Sequence, residues 1–201
     1  MLDFEKDYWT KYPLIAGLDE VGRGCLAGEL VIACVVFPPN YSNPRIKDSK
    51  LLSEKVREEL YNEIIASALA YSIEIRSLDD INASNPKAQS RLGMELALAK
   101  LPFKPNLVIT DFEHINTTLP QINLVKGDNI SLSVAAASIL AKVTRDRMML
   151  QYSEIYPQYD FKNNKGYGTK NHMSALETYG ITPIHRIKYK PVANIIAKKS
   201  L

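Results

Sequence analysis

The sequence predicts an α/β protein, because short apolar runs alternate along the chain with segments of helical periodicity. The runs at 14–18 and 30–37 are typical of strands buried on both faces, and a third run at 107–111 ends in a carboxylate. No internal repeat or low-complexity linker interrupts the chain. Its 201 residues, 46% of them hydrophobic, suffice for one globular domain with a sizeable core.

The helices are predicted from their caps and their apolar spacing. Ser53 is a favourable N-cap for a helix reaching about residue 69, and Asn85 followed by Pro86 predicts the start of a second helix. A long helix is expected to begin near Ser131 and to run through residue 149. Between the first two helices, Tyr71 and its apolar neighbours at alternate positions predict a half-exposed strand.

The last quarter of the chain differs from the rest in composition. An aromatic, loop-like stretch is followed by a short helix that Gly180 ends. We therefore predict a core over residues 1–151 and a basic C-terminal helical annex over 152–201, the two either separate or parts of one continuous domain.

Charge is distributed unevenly along the chain. Residues 161–201 contain eight Lys or Arg and one acid, a net charge of +7, whereas residues 1–160 carry −4. This asymmetry is typical of a protein whose partner is a polyanion, although a charged run can equally be solvated surface.

Several classes of protein are excluded by composition. No apolar stretch approaches the length of about 18 residues that a membrane span needs, and the charged, aromatic start does not resemble a signal peptide. Two cysteines and three dispersed histidines predict neither a disulfide framework nor a zinc site. We expect a cytoplasmic protein that does not bind membranes.

Carboxylates follow the predicted strands. Asp19 and Glu20 end the first apolar run, Asp111 ends the third, and Asp128 follows in a Lys-Gly-Asp stretch. Adjacent strand residues point to opposite faces, so Asp19 and Glu20 serve one site only if the strand bends or ends there. Clustered carboxylates are the ligands that Mg²⁺ or Mn²⁺ selects, although an adjacent acid pair taken alone is more often solvated.

Six stretches, in this order, identify a resemblance to a known family. They are DEVGRGCLAG at 19–28, DSK at 48–50, the aspartate at 111, KGD at 126–128, AAASILAKVTRDR at 135–147 and KGYGTKNH at 165–172. Together they resemble ribonuclease HII, and the resemblance extends from about Leu14 to Pro191.

The resemblance implies a ribonuclease H-like fold, with a mixed central sheet flanked by helices. It further implies an endonuclease that hydrolyses the RNA strand of RNA/DNA hybrids and nicks DNA duplexes 5′ to embedded ribonucleotides, leaving 5′-phosphate and 3′-hydroxyl ends. By the same resemblance, two divalent metal ions, Mn²⁺ or Mg²⁺, are held by four catalytic acids, Asp19, Glu20, Asp111 and Asp128.

Substrate-binding residues also follow from the resemblance. Gly22, Arg23 and Gly24 match a loop that recognises the 2′-hydroxyl, the group that distinguishes RNA from DNA. Tyr167 matches a tyrosine that stacks on the next deoxyribose. Phosphate contacts are expected from four basic residues: Lys50, Lys142, Arg145 and Lys170. We expect His172 and His185 to be packing or capping residues.

Departures from the family pattern leave two alternatives. Phe112 follows Asp111 where glycine is typical, which puts the tightness of that turn in doubt, and Glu29 replaces a common proline in what we expect to be a solvent-exposed position. The chain is thus also compatible with a ribonuclease HIII-like enzyme specific for hybrids, or with a non-catalytic nucleic-acid-binding relative. In every case we expect a monomer.

Overall fold

A computed structural model describes residues 3–199, and it confirms the predicted α/β architecture. Within that range one sheet of five strands has the spatial order β3-β2-β1-β4-β5. The strands are β1 (Ile15–Val21), β2 (Leu30–Val36), β3 (Ala70–Arg76), β4 (Leu107–Asp111) and β5 (Gln121–Leu124). The predicted strands at 14–18, 30–37 and 107–111 correspond to β1, β2 and β4.

The sheet is mixed. Strand β2 runs antiparallel to both β1 and β3, whereas β4 is parallel to both β1 and β5. Leu18 of β1 pairs with Thr110 of β4. This register brings the carboxyl ends of the two strands side by side at one edge of the sheet.

Helices cover both faces of the sheet. They are α1 (Glu54–Ser67), α2 (Leu78–Ala83), α3 (Pro86–Ala99), α4 (Leu132–Ile155), α5 (Phe161–Asn164), α6 (Lys170–Tyr179) and α7 (Lys190–Lys199). Val31 and Val35 of β2 pack with α1 and α4 on one face, and Ile32 and Cys34 pack with α3 on the other. Strand β2 is therefore buried on both sides, as its continuous apolar run predicts.

The start of α4 is fixed by two caps. Ser131 accepts a hydrogen bond from the Val134 amide, as its predicted N-cap role requires. The buried Glu5 carboxylate accepts bonds from the Ser131 hydroxyl at 2.6 Å and from the Leu132 and Ser133 amides at 3.1 and 2.8 Å. A negative charge at this end is also favoured by the helix dipole.

Helix α4 lies directly on β1 because Gly17 has no side chain. A Cβ at Gly17 would lie 2.3 Å from the Ser133 carbonyl carbon, which is main chain and cannot move without the helix. The close approach sets the distance between α4 and the end of β1 that carries Asp19.

Alternating strands usually bury their apolar face, but strand β3 exposes much of its apolar face and buries polar residues. Tyr71 and Ile75 are 40% and 44% exposed, whereas Ser72 and Glu74 are buried. The buried polar face is satisfied by α3 and its C-terminal flank: the Ser72 hydroxyl donates to the Ala97 carbonyl at 2.6 Å, and Lys100 pairs with Glu74 at 2.5 Å.

The C-terminal annex packs against the core. Helix α4 runs through the predicted boundary at residue 151, and Leu26 and Met149 share an apolar cluster with Phe161, Leu176 and Val192. The division into 1–151 and 152–201 stays a prediction, and its outermost residues, 1–2 and 200–201, lie outside the described residues. Over residues 3–199, no helix combines the length and the hydropathy needed to span a bilayer.

We expect Gly17→Ala to lower the free energy of unfolding by about 2–3 kcal/mol, because the added methyl group overlaps the α4 main chain. Urea unfolding at neutral pH measures this change. Gly24→Ala is the matched control, since a Cβ there meets nothing within 4 Å. Equal stability of the two variants would contradict the close-packing account.

Candidate active site

A cleft of about 390 Å³ opens at the carboxyl ends of β1 and β4. Nine of the twelve site residues predicted from the sequence line it; the exceptions are Asp128, Arg145 and Lys170. The fold therefore brings most of the predicted site to a single surface.

Asp19 and Glu20 lie on opposite faces of β1, and the strand ends one residue later, at Val21. The pairing continues through Glu20 opposite Ile32 and Val21 opposite Val31. Asp19 shares the face of Gly17, towards α4. Both carboxylates line the cleft, each from its own face of the carboxyl end of β1.

The environment of this pair disfavours negative charge. Burial raises the pKa of Asp19 well above its usual range, and the neighbouring charges of Glu20 and Asp111 add to the shift. Burial also raises the pKa of Glu20 to about 7, although Arg23 opposes the shift. Glu20 Oε2 is buried and has no hydrogen-bond partner in the described part of the chain.

Asp111 and Asp128 approach the cleft from the other side. Asp111 accepts a bond from the Gly127 amide at 2.8 Å, and its pKa is raised by burial and by the charge of Asp128. Asp128, which is 2% exposed, accepts bonds from Lys50 Nζ at 3.1 Å and from Asn129 Nδ2 at 3.0 Å. Lys50 thus neutralises part of the cluster.

The chain turns tightly after Asp111 even though Phe112 replaces the typical glycine. The Glu113 amide donates to the Asp111 carbonyl at 2.7 Å, and Phe112 between them has a φ of 62°. This is the geometry of a γ-turn, in which a positive φ is a strained conformation for a bulky residue. The aromatic ring itself is exposed.

Glu113, for which the sequence predicted no role, holds the side chain of Arg23 beside the cleft. Its carboxylate is 1% exposed and accepts bonds from Arg23 Nη1 at 2.7 Å and Arg91 Nε at 2.8 Å. Burial alone would raise the pKa of Glu113, but the bonds from the two guanidinium groups lower it. The side chain of Arg23 is therefore held between Glu113 and Glu20, whose carboxylate lies 3.6 Å away.

The predicted basic contacts divide into two groups. Lys50 and Lys142 line the cleft, each with its amine paired to a carboxylate: Lys50 with Asp128, and Lys142 with Asp146 at 2.7 Å. Lys170 is the exposed first residue of α6. Asp146 is thus an ion-pair partner on the same helix as Lys142.

Two sequence expectations require correction. Arg145 cannot serve as a phosphate contact, because its side chain is fully buried and its guanidinium donates to main-chain carbonyls. Glu29 is half-buried instead of solvent-exposed, and its Oε1 accepts a bond from the Tyr152 hydroxyl at 2.7 Å.

The carboxylates suit a hard cation in their chemistry. They supply only oxygen donors, burial and then mutual repulsion raise the pKa values of three of them, and one buried oxygen lacks a partner. Over residues 3–199, however, no three Asp, Glu, His or Cys side chains converge into a ready coordination shell. Lys50 and Arg23 occupy positions beside the carboxylates that an ion would compete for.

Tyr167 is positioned through a buried histidine pair. Its ring is 43% exposed at the cleft, while its carbonyl accepts a bond from His172 Nδ1 at 2.9 Å. His172 Nε2 lies 3.0 Å from His185 Nε2, and His185 Nδ1 accepts from the Thr182 amide at 2.9 Å. This series of hydrogen bonds assigns the neutral form to both rings, since a proton added to either ring would remove a nitrogen that accepts a bond.

We expect the histidine pair to make stability fall at acidic pH. Burial lowers the pKa of His172 and, together with the charge of His172, that of His185 to about 4. An unfolded histidine has a pKa of about 6.5, so the unfolded state binds more protons between pH 6.5 and 4. The free energy of unfolding should therefore drop by about 3 kcal/mol as the pH falls through this window, relative to a His185→Gln variant.

Urea unfolding of both proteins at several pH values between 7 and 4 measures this difference. His114→Gln is the control, because His114 is exposed and should leave the pH dependence of the parent intact. Parallel pH profiles for the parent and His185→Gln would contradict the assigned neutral pair.

Comparisons with known proteins identify the family of this chain. A sequence model of the family described as ribonuclease HII matches residues 16–192. Ribonuclease HII from Ligilactobacillus salivarius is 48% identical over 98% of this chain and 78% of its own length.

Solved structures agree with the fold. The crystal structure of ribonuclease H2 from Pyrococcus horikoshii superposes with a TM-score of 0.80 and 25% identity, over 92% of this chain and 98% of that one. The ribonuclease HII of a PCNA complex from Archaeoglobus fulgidus gives a TM-score of 0.74 and 27% identity, over 90% and 96%. With this sequence match and a ribonuclease H-like fold, the chain belongs to the ribonuclease HII family and is an endoribonuclease that acts on nucleic acid.

Proposed function

We propose that this chain hydrolyses the RNA strand of RNA/DNA hybrids and nicks duplex DNA on the 5′ side of an embedded ribonucleotide. One observation carries the proposal: carboxylates from β1, from β4 and from the turn after β5 gather at one edge of the sheet, where burial and mutual repulsion raise the pKa values of Asp19, Glu20 and Asp111. In its ionised form, such a cluster is stabilised by bound cations.

The four acids would hold two divalent ions, Mn²⁺ or Mg²⁺. Such a pair supplies a water of lowered pKa and stabilises the charge that develops on the attacking and leaving oxygens. Asp19 lies centrally, since the charges of both Glu20 and Asp111 act on it. Lys50, whose exposed side chain bonds to Asp128, would be free to meet a substrate phosphate if Asp128 held an ion instead.

Recognition of the sugar is assigned to the Gly22–Gly24 loop and Tyr167. A 2′-hydroxyl both donates and accepts, so main-chain amide and carbonyl groups can identify it. The bond from Arg23 to Glu113 supports recognition of the 2′-hydroxyl by main-chain groups, because it keeps the Arg23 side chain away from the side of the loop that the sugar would approach. The exposed ring of Tyr167 offers a surface for the following deoxyribose.

Phosphate contacts are assigned to Lys50, Lys142 and Lys170. The first two line the cleft, and the third begins α6, three residues beyond Tyr167. A flexible amine can follow a phosphate without a fixed geometry, which suits contacts along a strand.

We predict that the protein, supplied with Mn²⁺ or Mg²⁺, makes a single nick 5′ to one ribonucleotide in a DNA duplex and leaves 5′-phosphate and 3′-hydroxyl ends. Asp111→Asn should lower the rate by about 10³-fold, because removing one ligand charge weakens stabilisation of the transition state by several kcal/mol. Denaturing gel electrophoresis with end-labelled strands measures the rate and the position of the cut.

The control is Asp79→Asn, an exposed acid on α2 that should leave the rate unchanged. Absence of a nick with the parent, or the same rate with Asp111→Asn, would contradict the enzymatic proposal. Strong preference for continuous hybrids over single ribonucleotides would favour the ribonuclease HIII-like alternative.

We also predict that Lys170→Ala raises KM and makes it less sensitive to salt. Loss of one phosphate contact should reduce the slope of log KM against log salt concentration by about 1, with kcat little changed. Steady-state rates between low and moderate KCl measure the slope. Lys87→Ala, an exposed lysine on α3, is the control; an unchanged slope for Lys170→Ala would remove this residue from the binding surface.

A further inference from the structure

We propose that the buried residues Arg145 and Arg186 are positioning residues that fix the spacing between the Gly22–Gly24 loop and Tyr167. The inference deepens the proposed function, on which it rests. The two arginines would hold the loop and the tyrosine at the distance needed to contact a ribose and the next sugar at the same time.

Arg145 joins the two recognition segments. Its side chain has no exposed surface, and its guanidinium donates to the carbonyls of Ala27 at 2.8 Å, Glu29 at 2.9 Å and Lys165 at 2.7 Å. Residues 27 and 29 follow the loop, and residue 165 lies two positions before Tyr167. One rigid group therefore holds both segments at set distances.

Arg186 fixes the loop from the annex. It is also fully buried, and it donates to the Gly28 carbonyl at 2.7 and 2.9 Å and to the Arg23 carbonyl at 3.1 Å. The hydroxyl of Tyr189 donates to the same Arg23 carbonyl at 2.6 Å. The central residue of the loop thus has its main-chain oxygen held by two partners.

The packing leaves these segments little freedom to move apart. A Cβ on Gly22 would lie 2.2 Å from Arg145 Nε, so the arginine passes directly beneath the loop. A Cβ on Gly166 would lie 2.5 Å from the Ala27 carbonyl oxygen, and the Leu26 amide donates to the Gly166 carbonyl at 2.8 Å.

The two buried charges have a cost that a purely structural contact would not require. Over residues 3–199, neither Arg145 nor Arg186 forms an ion pair with a carboxylate. Buried charges without counterions are expensive, and well-packed apolar side chains often stabilise a core as well or better. Main-chain carbonyls compensate these guanidiniums, together with the hydroxyl and the ring of Tyr189 beside Arg186. What the arginines add is therefore the placement of those carbonyls.

Lysine cannot reproduce this placement. A guanidinium presents five donors in a planar fork, whereas an ammonium is a point charge on a flexible stem. Arg145→Lys and Arg186→Lys therefore keep the charge and remove the fixed geometry, which separates the two contributions.

The test compares kcat/KM on two substrates, a DNA duplex with one ribonucleotide and a continuous RNA/DNA hybrid. Only the first presents the ribose-to-deoxyribose step that the loop and Tyr167 read together. We expect Arg145→Lys and Arg186→Lys to lower kcat/KM on the single-ribonucleotide duplex by about 10- to 100-fold more than on the hybrid, because small displacements of positioning groups have effects of this size. Thermal melting verifies that each variant is folded, and either folded variant is sufficient for the comparison.

A double-mutant cycle distinguishes positioning from stability. If Arg145 acts through Tyr167, then Arg145→Lys combined with Tyr167→Ala should change the substrate ratio no more than Tyr167→Ala alone. Arg147→Lys, an exposed change on the same helix, should leave the ratio unchanged.

The inference would be overturned if kcat/KM fell equally on both substrates, or if the effects of Arg145→Lys and Tyr167→Ala on the substrate ratio multiplied in the double mutant. Either result would show that the arginines only stabilise the fold. Failure of the parent to cut at a single ribonucleotide is a separate result, visible without any variant; it would overturn the proposed function and this inference with it.

Discussion

The central constraint on this structure is that the fold holds like-charged carboxylates close together in a partly buried cleft. Parallel pairing of β1 with β4 places Asp19 and Asp111 at neighbouring strand ends, and the strands cannot separate without breaking the centre of the sheet. Helix α4, seated on Gly17, shields Asp19 from water on one side. Desolvation and mutual repulsion both disfavour the ionised carboxylates there, and the packed backbone cannot move to separate them.

The positive groups around the acids differ in how firmly they are held. Lys50 reaches Asp128 with a side chain that is 76% exposed, so this partner can leave at small cost. Arg23 is held by the buried Glu113, which in turn is held by Arg91. Lys50 can therefore leave its carboxylate partner at smaller cost than Arg23 can.

Local signals in the sequence were sufficient for much of the fold. Ser53, Asn85 and Ser131 cap the helices that they predict, because a cap depends on residues only three positions away. Strand β5, which has four residues and no fully buried one, carries too weak a pattern to be predicted. The exposed face of β3 was not predictable either, since only the position of α3 determines which side is covered.

The site was predictable in composition but less so in geometry. Motif order identified the acids, whereas only the strand register shows that β1 continues through both of them before it ends at Val21. Glu5 and Glu113 acquire their roles from partners distant in sequence, such as Ser131 and Arg23, so no short pattern marks them.

Arg145 shows why a count of basic residues misjudges a nucleic-acid surface. The arginines of the 145–186 region that interact with the recognition loop are buried, whereas most lysines of the C-terminal annex, including Lys170 and Lys188, are exposed. A planar guanidinium is suited to holding several carbonyls at once, and a hydrated ammonium is suited to a mobile phosphate. Under the proposed function, the basic charge of the annex would serve two purposes: its lysines would provide long-range attraction for a polyanion, and Arg186, with Arg145 of α4, would set the shape that the polyanion meets.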